Sequence, residues 1–548
     1  MQSCCKSNVT VGAGGLRGKG AAGRSDWPVM RLSLPQLAIH PLLFAAYAVL
    51  FLYAENVQLV RPSEVISPLL WSIGGAALVL VALSLLLHDS RRAAMLASAL
   101  VVIFFGFGHL AGLISPQAGG WTLLAAWTAF VLGLTGLLLV WRSTWLPPLT
   151  TGLNVAGAVL LVFALSTIVP YELQAPVRAN TDGVPASGLH AQRTMQRDIY
   201  YLVFDRYGSA SSLAAEFGIV DNDLYDWLEE RGFEVARESH ANYSRTSLSL
   251  ASVLNMEYLE NLVGPQPASS RDYGPVHHVL QEHRAGRFLR EQGYRYVHVG
   301  SWFNATREVR IADENLQSGS TTEFQAVLDE TTVLPLLSSL LADDEPMPPD
   351  DEKHVAHARF QFRTLGRIID EPGPKFVMAH VLLPHDPYTF DEQGDYVPVE
   401  DRRDVPVAEQ FRAQLEYTNR EIKRIVERLL ARPANTRPII IVQADEGPYP
   451  ARFEADQLGF DWNRATPDEL ETKFGILNAF YLPDEPGPAS DAPEVYQRMS
   501  SVNTFRLVLG RYFGLQLPYL EDRVYVSASP RYPYDLSEVT GRLPFPPR

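Results

Sequence analysis

Residues 437–450 read RPIIIVQADEGPYP. The strand-forming run IIIVQA ends abruptly in two adjacent acids, Asp445 and Glu446, and then a glycine. A continuous apolar run, without the alternation of a half-exposed strand, belongs to a strand covered on both faces. The pattern recurs in DIYYLVF (198–204) and KFVMAHVLL (375–383), and FGILNAFYLP (474–483) reads as a further strand. Helical patterns lie between them. NDLYDWLEERG (222–232) stops at Gly232, and SRTSLSLASVLNMEYL (244–259) has a Ser/Thr-rich start. AGRFLREQGY (285–294) precedes the strand RYVHVGSW (295–302). Residues 411–432 form a long amphipathic helix, and VNTFRLVLGRYFG (502–514) a last one. This alternation predicts an α/β domain with a mostly parallel sheet covered by helices, whose ligands bind beyond the carboxyl ends of the strands. The acidic, proline-rich stretch ADDEPMPPDDEKH (342–354) reads as a mobile surface loop.

The chain is 548 residues long, too long for one ordinary core. Its composition divides near residue 170. Residues 1–175 hold nine bases and five acids, a balance of +4, so the remainder carries −19 of the total −15. A domain this acidic is a poor nucleic-acid binder, and none is expected as a partner. The only cysteines, Cys4 and Cys5, leave the acidic domain without disulfides. Five apolar segments, 37–53, 66–87, 93–114, 121–141 and 152–169, approach the length of a membrane span. Arg17, Lys19, Arg24 and Arg31 precede the first, Arg91 and Arg92 follow the second, and Arg142 follows the fourth. Bases mark the cytoplasmic side, which places the N-terminus inside and everything after the fifth span outside. The expected organisation is a disordered tail at 1–32, five transmembrane helices within 33–170, a linker at 171–196 and an extracytoplasmic domain at 197–548. His40 and His109, in or beside the spans, read as packed or interfacial residues.

Three outer-domain strands end in possible ligands: Asp205, then Asp445 with Glu446, then the segment holding His380 and His385. Carboxylates brought to one rim repel unless a cation stands between them. Thr246 and Ser247 lie where a loop enters a helix, a place whose N–H groups favour an anion. Alone, that segment reads as an ordinary N-cap. Beside the strand-end acids it reads as a nucleophile, because a metal at the hydroxyl lowers its pKa. His380, mid-strand in an apolar run, reads as a core histidine. Trp302 and Arg307 follow a strand and are candidates for substrate contact.

This combination resembles the alkaline phosphatase/sulfatase superfamily, and within it the membrane-anchored branch of lipoteichoic acid synthases and phosphoethanolamine transferases. The resemblance runs from the first span to about Gly514. It implies that Asp205 in VFDRYGS is the first acidic metal ligand and Thr246 in NYSRTSLSLAS the nucleophile. It also implies that His385 in HVLLPHDPY contacts the substrate phosphate, and that ADEG corresponds to the family's D-H-G. Glu446 therefore stands where the family has a histidine, and Arg206 where many relatives have glycine. No histidine follows Glu446 before the next strand.

A ligand set of Asp205, Thr246, Asp445 and Glu446 is all oxygen. It suits one divalent metal, Mn²⁺ or Mg²⁺ rather than Zn²⁺. The resemblance then implies a phosphotransferase or hydrolase of the bacterial cytoplasmic membrane. Its substrates are lipid-linked or glycan phosphate esters, and it works through a phospho-threonine. The alternative is a catalytically degenerate protein that binds an envelope component or partner. A sulfatase is disfavoured, because YSRTSLS lacks the C/S-x-P-x-R pattern.

Overall fold

The computed structural model describes residues 37–113, 120–140, 143–179, 191, 195–319, 322–341, 349–457, 459–484, 493–529 and 531–544. The expected tail at 1–32, residues 180–190 and 192–194 of the linker, and residues 342–348 of the acidic stretch lie outside them. The rest of that acidic stretch is not loop: a helix, Pro349–Ile368, begins within it.

Five helices open the chain: α1 (His40–Glu55), α2 (Pro62–Leu87), α3 (Ser90–Leu113), α4 (Gly120–Val140) and α5 (Leu146–Ala179). Among the described residues, three segments are long and apolar enough to cross a membrane: Pro62–Leu87, Ser90–His109 and Leu146–Leu173. His40–Glu55 and Ala125–Leu137 are apolar but shorter, so three spans rather than five meet the length. At 1.5 Å per residue, the 16 residues of α1 rise only about 24 Å, short of the ~30 Å hydrocarbon core. α1 is the packed centre of the group, with Ala45, Val49 and Tyr53 buried. His40 bonds Ser98 Oγ through Nδ1 at 2.5 Å. α2 instead exposes Ile66, Leu70, Trp71 and Leu78, a surface suited to lipid.

The outer domain is built on a seven-stranded sheet in the order β2-β7-β6-β1-β5-β3-β4. Its strands are β1 (Ile199–Phe204), β2 (Glu234–Val235), β3 (Arg295–Val299), β4 (Glu314–Leu316), β5 (Lys375–Val381), β6 (Ile439–Gln443) and β7 (Asn478–Tyr481). β1 pairs in parallel with β5 on one side and β6 on the other, and β3 is parallel to both β5 and β4. β7 runs antiparallel to β6, and β2 antiparallel to β7, so the sheet is mixed at that edge.

Side chains alternate across the sheet with period two. Tyr200, Leu202 and Phe204 of β1 share one core with Val377, Ala379, Ile440 and Val442. Helices Pro349–Ile368 and Val407–Leu430 cover that face. Ile199, Tyr201 and Val203 point the other way, with Phe376, Met378, Ile439 and Ile441. There the helices Thr246–Asn255, Arg284–Glu291 and Thr504–Phe513 cover them. Every residue of β1, β5 and β6 is buried, which is why their sequences read as unbroken apolar runs.

At the amino ends of these strands, Asp198 pins the sheet. Its carboxylate accepts from Lys375 Nζ at 2.7 Å and from Arg432 Nη1 at 2.6 Å, and the Lys375 amide donates to it at 3.1 Å. At the carboxyl ends, the membrane helices dock. Phe324 and Leu328 of the helix Glu323–Glu330 pack with Val49, Tyr53, Val57 and Ile168. Tyr171 donates to Asp272 Oδ1 at 2.9 Å, and the Gly108 amide to the Thr331 carbonyl at 2.9 Å. Because Lys375 has no exposed surface, Asp198→Ala leaves its buried ammonium without a counter-charge, held only by the Glu371 carbonyl at 2.7 Å. We expect a loss of about 3–5 kcal/mol in denaturant unfolding, whereas a change within about 0.5 kcal/mol would mean that Lys375 finds another partner.

Candidate active site

The register places three ligating side chains together. Val203 lies opposite His380 of β5 and Gln443 of β6. Asp205 and Asp445 come two residues after Val203 and Gln443, so the alternation turns both toward the face that His380 shares. The Asp205 amide donates to the Val381 carbonyl at 2.9 Å, which extends the ladder beyond β1. Asp205, His380 and Asp445 are buried, and one ligand atom from each lies within 4.8 Å of the others. His380 Nε2 is 3.8 Å from Asp205 Oδ2 and 3.9 Å from Asp445 Oδ2, too far for hydrogen bonds.

His380 is oriented from behind. Its Nδ1 meets Thr306 Oγ1 at 2.8 Å, and Thr306 Oγ1 meets Ser301 Oγ at 2.8 Å, leaving Nε2 toward the acids. Asp205 Oδ1, both Asp445 carboxylate oxygens and His380 Nε2 are buried without a hydrogen-bond partner. Burial pushes His380 down to about 3, so its imidazole is neutral. Burial, and then the charge of Asp445, push Asp205 well above the usual carboxylate range. Burial also raises Asp445, against the pull of the Thr246 side chain and Lys473. A neutral imidazole and two buried acids with no basic side chain in hydrogen-bond contact fit a divalent cation.

Thr246 opens the helix Thr246–Asn255 and is partly exposed. Ser249 Oγ donates to the Asp445 carbonyl at 2.6 Å and so ties the first turn of that helix to the end of β6.

Glu446 follows Asp445 in a bend beyond the end of β6. Its Oε1 is 2.8 Å from Lys473 Nζ and 3.9 Å from Arg206 Nε, and both it and Lys473 are buried. The Lys473 ammonium lies 3.4 Å from the centre of the Tyr449 ring, the Arg206 guanidinium 4.5 Å from it, and Arg245 donates to Tyr449 Oη at 2.8 Å. Burial lowers Lys473 to about 8 even though Glu446 supports its charge. Gly447 makes this corner possible. A Cβ there would lie 2.4 Å from the Thr472 carbonyl oxygen and 2.8 Å from that of Gly475. Arg206 has a left-handed φ of +60°, which re-aims the chain directly after Asp205.

These groups line a cavity of about 400 Å³. Asp205, Arg206, Arg245, Thr246, His385 and Glu446 form its polar wall. The opposite wall is apolar, with Leu52 of α1, Leu59 and Val60 after it, Phe324, Val327 and Leu382. His385 Nδ1 faces the Asp386 carbonyl, and Gln414 Nε2 holds the His385 carbonyl at 2.8 Å. Burial, and then Arg206, hold its imidazole well below its ordinary range. Trp302 is on the cavity wall, with Lys353 Nζ 4.6 Å from its ring centre. Arg307 is not. It lines a separate cavity against the start of α2.

The structure thus brings Asp205, Thr246, Asp445, His385 and Trp302 to one place, with Glu446 facing its cations and Arg307 elsewhere. His380, which reads from the sequence as a core histidine, is buried but turned toward the two acids, because register sets it on their face of the sheet. Lys473, Arg245 and Tyr449 carried no sequence signal beyond their type.

No family profile matches the chain, and no curated protein does. Among solved structures it is similar to extracytoplasmic domains and to an alkaline phosphatase superfamily protein. One is the C-terminal periplasmic domain of EcEptC from Escherichia coli in complex with Zn, at 12% identity and a TM-score of 0.39, over 65% of this chain and 92% of that one. Another is the C-terminal periplasmic domain of phosphoethanolamine transferase EptC from Campylobacter jejuni, at 14% identity and 0.37, over 64% and 95%. A third is a protein in the alkaline phosphatase superfamily from Vibrio parahaemolyticus, at 12% identity and 0.38, over 67% and 82%. All three are distant similarities.

Removing the Glu446 carboxylate leaves the Lys473 ammonium buried and unpaired. Glu446→Ala is expected to cost about 3–5 kcal/mol in denaturant unfolding, and Glu446→Ala with Lys473→Met distinctly less. Equal losses would show that the pair is not coupled.

Proposed function

We propose that this protein is a membrane-anchored, metal-dependent phosphotransferase or hydrolase of the sulfatase-like kind, acting on phosphate esters of lipids or envelope glycans. One observation carries the reading: buried, unpartnered ligand atoms of Asp205, His380 and Asp445 meet beside Thr246, at the head of a helix, in a cavity lined by Arg206 and Arg245. Asp205, His380 and Asp445, with the Thr246 hydroxyl, would hold the metal. Mn²⁺ or Mg²⁺ was expected from an oxygen set that included Glu446. With Glu446 held by Lys473 and the His380 nitrogen beside the two acids, we infer Zn²⁺ as the better fit.

A divalent cation held there acidifies the adjacent hydroxyl and offsets charge on phosphoryl oxygens. Thr246 Oγ1 attacks phosphorus, forming one P–O bond as the ester P–O bond breaks. Arg206 and Arg245 grip the non-bridging oxygens on phosphorus. His385, with Nδ1 against the Asp386 carbonyl, keeps Nε2 free to take the Thr246 proton and pass it to the departing ester oxygen. The second half reverses this: an acceptor hydroxyl or water gives its proton to His385 and displaces Thr246. The apolar wall supplied by α1 and Leu59 favours an ester that carries a lipid. Arg91 and Arg92, at the start of α3, favour a cytoplasmic side at the end of α2, and so an outer side for this site beside its start.

The ion pair between Glu446 and Lys473 favours a second reading, a degenerate domain that binds an envelope component. Metal-dependent melting of the chelated protein with Zn²⁺, Mn²⁺ and Mg²⁺ separates the two. At ~100 Kd a bound ion adds about 2.7 kcal/mol, several degrees in Tm. We expect a shift with Zn²⁺ that His380→Ala and Asp445→Asn abolish and Glu446→Ala retains. A phosphoester adduct that keeps the donor's second ester group is expected on Thr246 in peptide mass spectra after incubation with a phospholipid donor, and Thr246→Ala is expected to lose at least about 10³-fold in turnover. No shift with any ion would leave the binding reading standing.

A further inference from the structure

A second cavity, of about 360 Å³, lies on the seam between the outer domain and α2. This is within the size range of small-ligand pockets, ~300–1,000 Å³. Arg61, Ser63, Glu64 and Ser67 line it from the start of α2, and Arg307 and Glu308 from the outer domain. The N-cap of the helix Glu323–Glu330 closes it.

Its charges are unevenly satisfied. Both Glu308 oxygens are taken, one by Arg61 Nη1 at 2.9 Å and the other by Gln317 Nε2 at 2.9 Å. Glu64 Oε1 faces the Arg61 amide at 3.4 Å, but its Oε2 is buried with no partner. Arg307 is 5% exposed and its Nη1 is buried with no partner. Glu64 has only a long contact to Arg61 Nε, 4.0 Å from Oε1, and Arg307 donates through Nη2 to the Gly319 carbonyl at 3.4 Å, so Glu64 Oε2 and Arg307 Nη1 each remain without a partner among residues lining this cavity. Lining groups of balanced charge disfavour a purely anionic ligand. They suit one that carries both signs.

The lipid side of the cavity agrees. Ser63 and Ser67 are exposed on α2. The same helix face continues into the span as Ile66, 58% exposed, and Leu70, 66% exposed. Hydroxyls at the mouth give way, within a turn, to apolar surface along which acyl chains can lie.

We propose that the seam cavity binds the zwitterionic headgroup of a membrane phospholipid, its phosphate on Arg307 and its ammonium on Glu64, apart from the catalytic cavity. The bound lipid staples the outer domain to α2. The helix Glu323–Glu330 has its N-cap at this lipid and Phe324 and Val327 in the wall of the catalytic cavity, so the staple also sets that wall.

The test uses the full chain in lipid nanodiscs, with native mass spectrometry reading retained lipid. A Thr246→Ala background prevents turnover from consuming any. We expect phosphatidylethanolamine to be retained roughly tenfold over phosphatidylglycerol. Glu64→Gln is expected to bring that ratio near one, and Arg307→Gln to lower retention of both lipids. Ser67→Leu, which narrows the exposed mouth without touching a buried charge, is expected to lower retention at unchanged Tm. Equal retention of the two lipids in the Thr246→Ala parent, or a ratio unmoved by Glu64→Gln and Ser67→Leu, would overturn the proposal and leave water bridging Arg307 and Glu64. The readout is binding alone, so it fails or holds independently of chemistry at Thr246.

Discussion

Asp205 and Asp445 bring two carboxylates to one buried point, where neither is neutralised by a basic side chain within bonding distance. Like charges in a low dielectric repel strongly. Such an arrangement persists only if protons or a cation hold it. The alternation of three parallel strands creates the point. β1, β5 and β6 lie side by side in a register that aligns Val203, His380 and Gln443, so side chains two steps on from either flank meet His380 on one face. The Thr246 helix packs on that same face, tied by Ser249 to the Asp445 carbonyl. Everything the site can do follows from this convergence.

Glu446, in the bend just beyond β6, reaches the wall of the same cavity. Its anion needs a counter-charge within the protein, and Lys473 and Arg206 supply it around the Tyr449 ring. At the end of β6 this chain has Glu446 in an ion pair with Lys473, and His380 of β5 stands beside the two acids. One nitrogen donor stays near the acids, and a cationic platform forms at the cavity wall. The wall opposite is built by α1 and its following turn, so this cavity is shared between the membrane helices and the outer domain.

Much of this was legible in order along the chain. The unbroken runs in DIYYLVF, KFVMAHV and IIIVQ belong to strands buried on both faces, and they appear as β1, β5 and β6. β7 was legible as a strand but not in direction, because an apolar run carries no sign of whether its neighbour is parallel. The apolar N-terminal segments all became helices, yet α1 falls short of a full span because it ends at Asn56 and is packed within the group. Arg307 followed a strand toward the site, but a short helical turn, Asn304–Arg307, carries it round to the seam with α2.

The sequence alone determined the two-part character of the chain and the strand ends that carry Asp205 and Asp445, because hydropathy and periodicity are local properties. It also marked the helix start that carries Thr246. Tertiary structure alone decided that His380 rather than Glu446 faces the two acids, that Lys473 holds Glu446, and that membrane helices complete the cavity. Those outcomes depend on register and on which face of the pleat a residue takes relative to strands far away in the chain. A one-residue shift of register would exchange His380 for an apolar neighbour, and no stretch of sequence read by itself specifies that alignment.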